Sequence, residues 1–334
     1  MPIIISTTPA ANAGILYTSW GQQTIAAVRL ATAAQLWQRL LPQPLTFGPV
    51  LVGDNLYLAT GATKFAPPSG WVYALNARDG SVRWREQTEV PAGPLVVSGD
   101  ILYLSTQDQT GGSGGGEGAV YALRASDGVR LWRLPTSRSW NAALAISPDA
   151  TSLDAIYLTT DTQTIEARRL SDRTLLWRYR GHTAFGSLLL ADDTVFATAR
   201  DRQLYAFDAQ TGTLRWHRSA WSRYQSPIVM GNAVYTSDIQ ADSQNTSSDD
   251  NAIVAFQVQT GQRLWRRQLG GNVGGLTLDG SVLYIVSVVN APNPESLPVH
   301  DCLYTMVNAL SSAVGTTRWS QRLHGCATGR ALIA

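Results

Sequence analysis

The chain has 334 residues, 44% hydrophobic and 15% charged, with a net charge of +2, 11 Trp, 3 Met and 2 Cys. So low a charged fraction excludes a disordered, solvating chain, near-neutrality gives no bulk reason for nucleic-acid binding, and no apolar run reaches the ~18–20 residues that span a bilayer. Length alone suggests two domains, an estimate that the tryptophans overturn.

From the N-terminus, Pro2-Ile3-Ile4-Ile5 reads as a surplus strand, followed by the strand patterns GILYTSW and TIAAVRL and a strand carrying Trp37. The same context then recurs around Trp84, Trp132, Trp177, Trp216, Trp265 and Trp319, at spacings of 47, 48, 45, 39, 49 and 54 residues. Ten positions before each tryptophan stands an alanine: Ala27, Ala74, Ala122, Ala167, Ala206, Ala255 and Ala309. Four before it, Gly80, Gly128, Gly212, Gly261 and Gly315 occupy five of the seven units. Asp or Thr precedes that position in six, Asp79 and Thr211 among them.

The flanking segments alternate with period two, as half-buried strands do. The D-G or T-G pair marks a hairpin whose glycine takes positive φ cheaply, and the small alanine leaves room for an indole. Two further strand signals lie upstream, such as GPLVV and DILYLST around Ser98-Gly99-Asp100. Four antiparallel strands in about 45 residues is the size of one propeller blade, whose two faces are buried only by stacking on neighbours. The expected fold is therefore an all-β, seven-bladed β-propeller forming one domain over residues 1–334. Gly329–Ala334 is expected to close the ring by completing the N-terminal blade, so that no sheet edge remains. Ala33 and Arg173 replace the glycine in units one and four, and those two hairpins are expected to turn by another geometry.

The pattern A-x-D-A-x-T-G-x-x-x-W resembles the tryptophan-docking repeat of the pyrroloquinoline quinone (PQQ)-like propeller family, and the resemblance runs through all seven units. That family includes quinoprotein dehydrogenases and the propeller lipoprotein of the bacterial outer-membrane β-barrel assembly machinery. The resemblance implies the fold; the repeat is a packing device and names no chemistry. PQQ-dependent members have eight blades, a vicinal disulfide and acidic Ca²⁺ ligands, whereas this chain has seven units and no adjacent cysteines. Neither PQQ nor Ca²⁺ is expected as a cofactor, and no catalytic residue is assigned.

Long connections gather on one face: Thr60–Gly70, Thr106–Gly118, Ser237–Asn251 and Val289–Asp301. Loops that decorate a rigid scaffold are where binding evolves. The links entering blades four, five and six share that face and carry the candidate binding residues Arg138, Trp140, Asn141, Arg180, His182, Trp221, Arg223 and Tyr224. Arg, Trp and Tyr together are the composition of protein-binding hot spots and of anion sites. The bland reading is aromatic side chains packing the loops beneath solvated arginines. Trp20, Trp71, Trp140 and Trp221 are the tryptophans outside the repeat, all in or beside these loops.

Cys302 and Cys326 are expected to form a disulfide tying the last loop to the closing strand, which implies a periplasmic or extracellular location. The alternatives are free thiols, or a zinc site built from His300, Cys302, His324 and Cys326, whose spacing is unlike structural zinc sites. Arginines beside the repeat tryptophans, such as Arg85, Arg133, Arg178, Arg218, Arg266 and Arg322, read as charges that keep outer strands from pairing with other sheets. The expected function is a noncatalytic scaffold, extracytoplasmic and bacterial, meeting a protein or small polar ligand on the long-loop face, without nucleic acid. The alternatives are a PQQ-dependent or other small-ligand enzyme or receptor using the central mouth, and a sensor domain cut from a larger membrane-anchored protein.

Overall fold

The computed structural model describes residues 10–20, 23–61, 69–107, 118–136, 144–146, 154–160, 163–220, 226–239, 251–269, 272–290 and 302–323. They form seven antiparallel sheets in sequence order, each a four-stranded blade, as the repeat requires. Blade one comprises Ala10–Asn12, Ile15–Trp20, Thr24–Arg29 and Ala34–Leu40, and blade two Leu45–Val52, Asn55–Gly61, Gly70–Asn76 and Val82–Thr88. Blade three comprises Val96–Ser98, Ile101–Gln107, Gly118–Arg124 and Arg130–Thr136, with the short strand Val90–Pro91 added beside Ile101–Gln107. Blade four comprises Leu144–Ile146, Ala155–Thr159, Thr164–Arg169 and Leu175–Arg180, and blade five Phe185–Ala191, Thr194–Ala199, Gln203–Asp208 and Leu214–Ser219. Blade six runs Ile228–Met230, Ala233–Ile239, Asn251–Gln257 and Arg263–Gln268, and blade seven Asn272–Asp279, Val282–Asn290, Cys302–Ser311 and Thr317–Leu323. First strands of successive blades lie against one another from blade one to five and again from six to seven, so they line the axis.

Register explains the alanine. In every blade it pairs on one side with the tryptophan and on the other with an aromatic of the second strand, as Ala74 does with Trp84 and Tyr57. With only a methyl between them, the two rings meet above it at 5.8–6.1 Å between centroids in all seven blades. The indole then docks on the next blade. Trp84 Nε1 donates to Ala125 O at 3.0 Å, and Tyr57 OH donates to the same carbonyl at 2.9 Å. Trp177 with Tyr157 on Ala209 O, and Trp265 with Tyr235 on Ser312 O, repeat the pair of donors.

Glycine is required at the docking point for two reasons at once. Gly212 has φ +71°, and a Cβ there would lie 2.5 Å from the Trp177 ring. Its N–H closes the hairpin on Asp208 O at 2.9 Å. The preceding Asp braces the same turn: Asp79 accepts from Ser81 N at 2.8 Å, and Asp127 and Asp172 do likewise for Val129 and Thr174.

One expectation needs correction. Arg173 does not turn differently, whereas the Ala33 hairpin shares the glycine's φ but bonds otherwise, Thr32 N donating to Arg29 O at 3.4 Å. Ala33 and Arg173 adopt the same left-handed conformation, φ 53° and 63°, and Arg173 N bonds Arg169 O at 2.8 Å as the glycines do. The hairpin register is set by its flanking strands, so the side chain bears the backbone strain instead. Ala10–Asn12 stands first in blade one, turned back through Ala13 and Gly14 onto Ile15–Trp20; the closing role expected of Gly329–Ala334 falls on residues that are not described. Residues 324–334 lie outside the described residues. Two successive positive-φ residues make the two-residue turn that matches strand twist, which is why Asn-Ala-Gly-Ile starts the blade locally.

Apolar clusters fill the six junctions between consecutive blades. Among the described residues none joins blade seven to blade one. There Trp319 is 47% exposed, opposite the unit whose docking residue is Ala33.

Candidate ligand site on the long-loop face

The outermost strand of each blade has two working faces. Trp and the residue two beyond it address the following blade: Arg39 Nε donates to Gly80 O at 2.5 Å, and Arg218 Nε to Gly261 O at 2.8 Å. The residue directly after Trp faces the other way, where it meets a carboxylate. Arg133 NH2 pairs with Glu89 at 2.8 Å, Arg178 NH2 with Glu166 at 2.6 Å, and Arg266 Nε with Asp238 at 2.9 Å. Arg85 instead lies over the Trp71 ring at 5.0 Å. These arginines of the outer strands thus also carry specific ion pairs or ring contacts. Their heads are engaged because the pleat turns every second side chain back toward the preceding blade.

The carboxylates come from different elements. Glu89 stands in the link after blade two, where Tyr121 OH, Thr106 Oγ1 and Arg133 all donate to it. Burial pushes its carboxyl up, but those hydrogen bonds outweigh it and hold Glu89 below the usual glutamate value. In blade five, Tyr205 OH donates to Asp201 at 2.6 Å, and burial together with Asp201 pushes the phenol well above its ordinary value.

Blade four breaks the pattern. The position before the docking alanine is Tyr73, Tyr121 and Tyr205 in blades two, three and five, but Glu166 here and Val254 in blade six. Both smaller side chains leave a cavity. The one at blade six is about 260 Å³, between Arg218, Asp238, Phe256 and Arg263. The one at blade four is about 310 Å³ and more polar in its residues: Pro135 and Thr136 from blade three, then Thr160, Thr164, Glu166, Arg168, Arg178 and Arg180. Pro135, Thr136, Thr160, Thr164 and Arg180 lie at the strand ends where the second-to-third connections and the interblade links emerge, which is the long-loop face, and Glu166, Arg178 and Arg168 extend the cavity down the blade.

Glu166 is 2% exposed and its charge is met on both oxygens. Arg168 Nε donates to Oε2 at 2.7 Å, and Arg178 Nε to Oε1 at 2.8 Å. Arg168 NH1 also donates to Arg173 O at 3.0 Å. In blades two and six that docking carbonyl receives an arginine two residues after the preceding Trp; here that residue is Leu134, so Arg168 of the same blade reaches it instead.

Of the eight candidate binding residues, Arg180 lines the larger cavity. His182 turns to the neighbouring niche, with Nε2 3.3 Å from Asp201 and its side chain 78% exposed. The structure thus separates these two into adjacent blade junctions. Arg138, Trp140, Asn141, Trp221, Arg223 and Tyr224 lie outside the described residues, as do the Cys302 side chain, His300, His324 and Cys326. Glu166, Arg168 and Thr136 were not among the expected site residues. The signal for Glu166 and Arg168 was TIEARRL, an acidic and doubly basic departure from the VYAL pattern, and Thr136 had none.

Seven four-stranded blades joined by docking tryptophans define a β-propeller, with a polar cavity at the junction of blades three and four; among the described residues no three His, Cys, Asp or Glu side chains gather as a metal site. A family model described as outer membrane protein assembly factor BamB matches residues 21–139 and 116–287, and the chain belongs to this family of PQQ-like propellers. It is 26% identical over 267 residues to the assembly factor BamB of Yersinia pestis, covering 72% of this chain and 61% of that protein. It thus spans less than two thirds of that relative's length. Quinohemoprotein alcohol dehydrogenase ADH IIB of Pseudomonas putida is 29% identical over 147 residues, 40% of this chain and 20% of that enzyme. The crystal structure of BamB from Moraxella catarrhalis superposes with a TM-score of 0.61 at 15% identity, over 85% of this chain and 83% of that one, a likeness of fold.

Proposed function

We propose that this chain is a noncatalytic scaffold whose long-loop face receives a partner protein, acting outside the cytoplasm in outer-membrane protein assembly. The observation that carries this reading is the arginine- and threonine-lined cavity between blades three and four, at the face where the long connections emerge. Membership of a family described as an assembly factor supports it. A rigid ring of docked blades suits such a role, because it holds a loop surface in fixed geometry without moving parts. The reading assigns no PQQ and no Ca²⁺.

Photo-crosslinking in cells tests it. A crosslinking amino acid at Gln163 or His182, on the loop face, should give a discrete protein adduct. The same amino acid at Asp54 or Asn232, on turns of the opposite face, should not. Equal adducts from both faces would count against the scaffold reading, as would saturable PQQ and Ca²⁺ binding with dye-linked dehydrogenase activity.

A further inference from the structure

We propose that the cavity between blades three and four is a carboxylate-binding site, which takes an acidic side chain or chain end of the partner peptide. The proposal rests on the scaffold reading for its occupant and on the following geometry for its chemistry.

The cavity holds three guanidinium groups and one carboxylate. Glu166 is satisfied by Arg168 and Arg178, which lock its two oxygens at 2.6–2.8 Å. Arg180 remains: among the described residues no acidic group and no hydrogen-bond acceptor meets its side chain, although it lines the same space. A second, independent group points to a ligand. Thr136 is 5% exposed and lines the cavity, and its Oγ1 has no hydrogen-bond partner among the described residues. A hydroxyl so buried costs free energy unless something pairs with it. A ligand carboxylate on Arg180 lowers the cavity's net charge from +2 to +1, and a small shift of the Thr136 side chain lets its hydroxyl donate to the same group.

A carboxylate fits better than a phosphate. The guanidinium fork matches the planar carboxylate with two parallel bonds. At about 310 Å³ the space accommodates one acidic side chain with its flanking backbone. The neighbouring blades do not offer this: Tyr121 and Tyr205 fill the equivalent place, and their hydroxyls are already committed to Glu89 and Asp201.

The test uses the full chain and a fluorescein-labelled decapeptide of alternating Glu and Ser, read by fluorescence anisotropy at low salt. Saturable binding is expected, about tenfold or more weaker for the same peptide with Gln in place of Glu, since a charge-assisted pair is roughly twice as strong as a neutral one. R180Q should weaken the Glu peptide about tenfold with an unchanged melting curve, because Arg180 is exposed. T136V, isosteric but without the hydroxyl, should weaken it about threefold to tenfold. R263Q, in the blade-six cavity, should bind as the unaltered chain does. Equal binding of the Gln peptide, unchanged affinity in R180Q, or displacement by inorganic phosphate or anionic vesicles at concentrations below the peptide's own Kd would overturn the assignment. Face-specific crosslinks with unaltered peptide binding in R180Q would remove this site and leave the scaffold; peptide binding lost in R180Q without face-specific crosslinks would do the reverse.

Discussion

The junction between blades four and five and the junction between three and four are built from one repeat and end differently. At the first, Trp177 is 8% exposed, donates to Ala209 O at 2.8 Å and lies flat on Gly212. At the second, Trp132 is half-buried, no acceptor among the described residues meets its indole N–H, and Arg173 stacks over the ring at 5.9 Å. A Cβ at a docking glycine would lie 2.5–2.6 Å from the indole, so a side chain there holds the ring off. One residue, Arg173, therefore exchanges a hydrogen-bonded dock for a looser cation–π contact. Its carbonyl recruits Arg168, which braces Glu166, and the polar cavity opens at this junction. The lesson is that the repeat is strongest where it is copied, while the candidate site lies where it is broken.

Truncating the two indoles should break the comparison most visibly. Trp177→Ala is expected to cost about 3–5 kcal/mol, as large aromatic deletions in cores do, and Trp132→Ala measurably less, both read by denaturant unfolding. Equal losses would mean that the hydrogen-bonded dock adds nothing. Next, Gly212→Ala puts a methyl into both a positive-φ position and the Trp177 ring; a loss of about 1–3 kcal/mol is expected, against near zero for Gly231→Ala once its turn strain of about 1 kcal/mol is allowed for, since nothing lies near a Cβ there. Arg173→Gly should sharpen the contrast in the other direction. Relief of left-handed strain and closer docking of Trp132, less the extra freedom of glycine in the unfolded chain, should leave a gain of about 0.5 kcal/mol, with a blue shift in Trp fluorescence.

The smallest expected effect is in acid. Glu89 has its folded pKa depressed, so its stabilisation is complete above the ordinary glutamate value of 4.5 and is lost as pH falls below it through the folded value. A melting-temperature profile from pH 6 to 3 should therefore flatten in Glu89→Gln relative to the unaltered chain. An unchanged slope would show that the hydrogen bonds from Tyr121, Thr106 and Arg133 do not discriminate the charged form.

Much of this was legible in the residues. Seven tryptophans at blade spacing, each ten residues after an alanine, specify the sheets, their order and the hairpins, because strand alternation and turn glycines are local properties. The aromatic partner in each second strand escaped notice, since Tyr17, Tyr57 and Tyr103 look like ordinary strand residues until register sets them across the alanine. The ion pairs of the arginines after Trp escaped notice for a related reason. Their partners Glu89, Glu166 and Asp238 come from a link, a third strand and a second strand, so no fixed spacing announces them.

The sequence by itself thus determined the seven-bladed propeller and the face on which its long connections emerge, because each blade's period, turns and docking residues are written within some fifty consecutive positions. Only the tertiary structure decided that Ala10–Asn12 takes the first place in blade one, that Arg173 keeps the glycine's conformation, and that Thr136, Glu166 and Arg180 share one cavity. Those outcomes depend on contacts between strands and blades, where the size of a single side chain, set against a neighbour far along the chain, decides whether space is filled or left open.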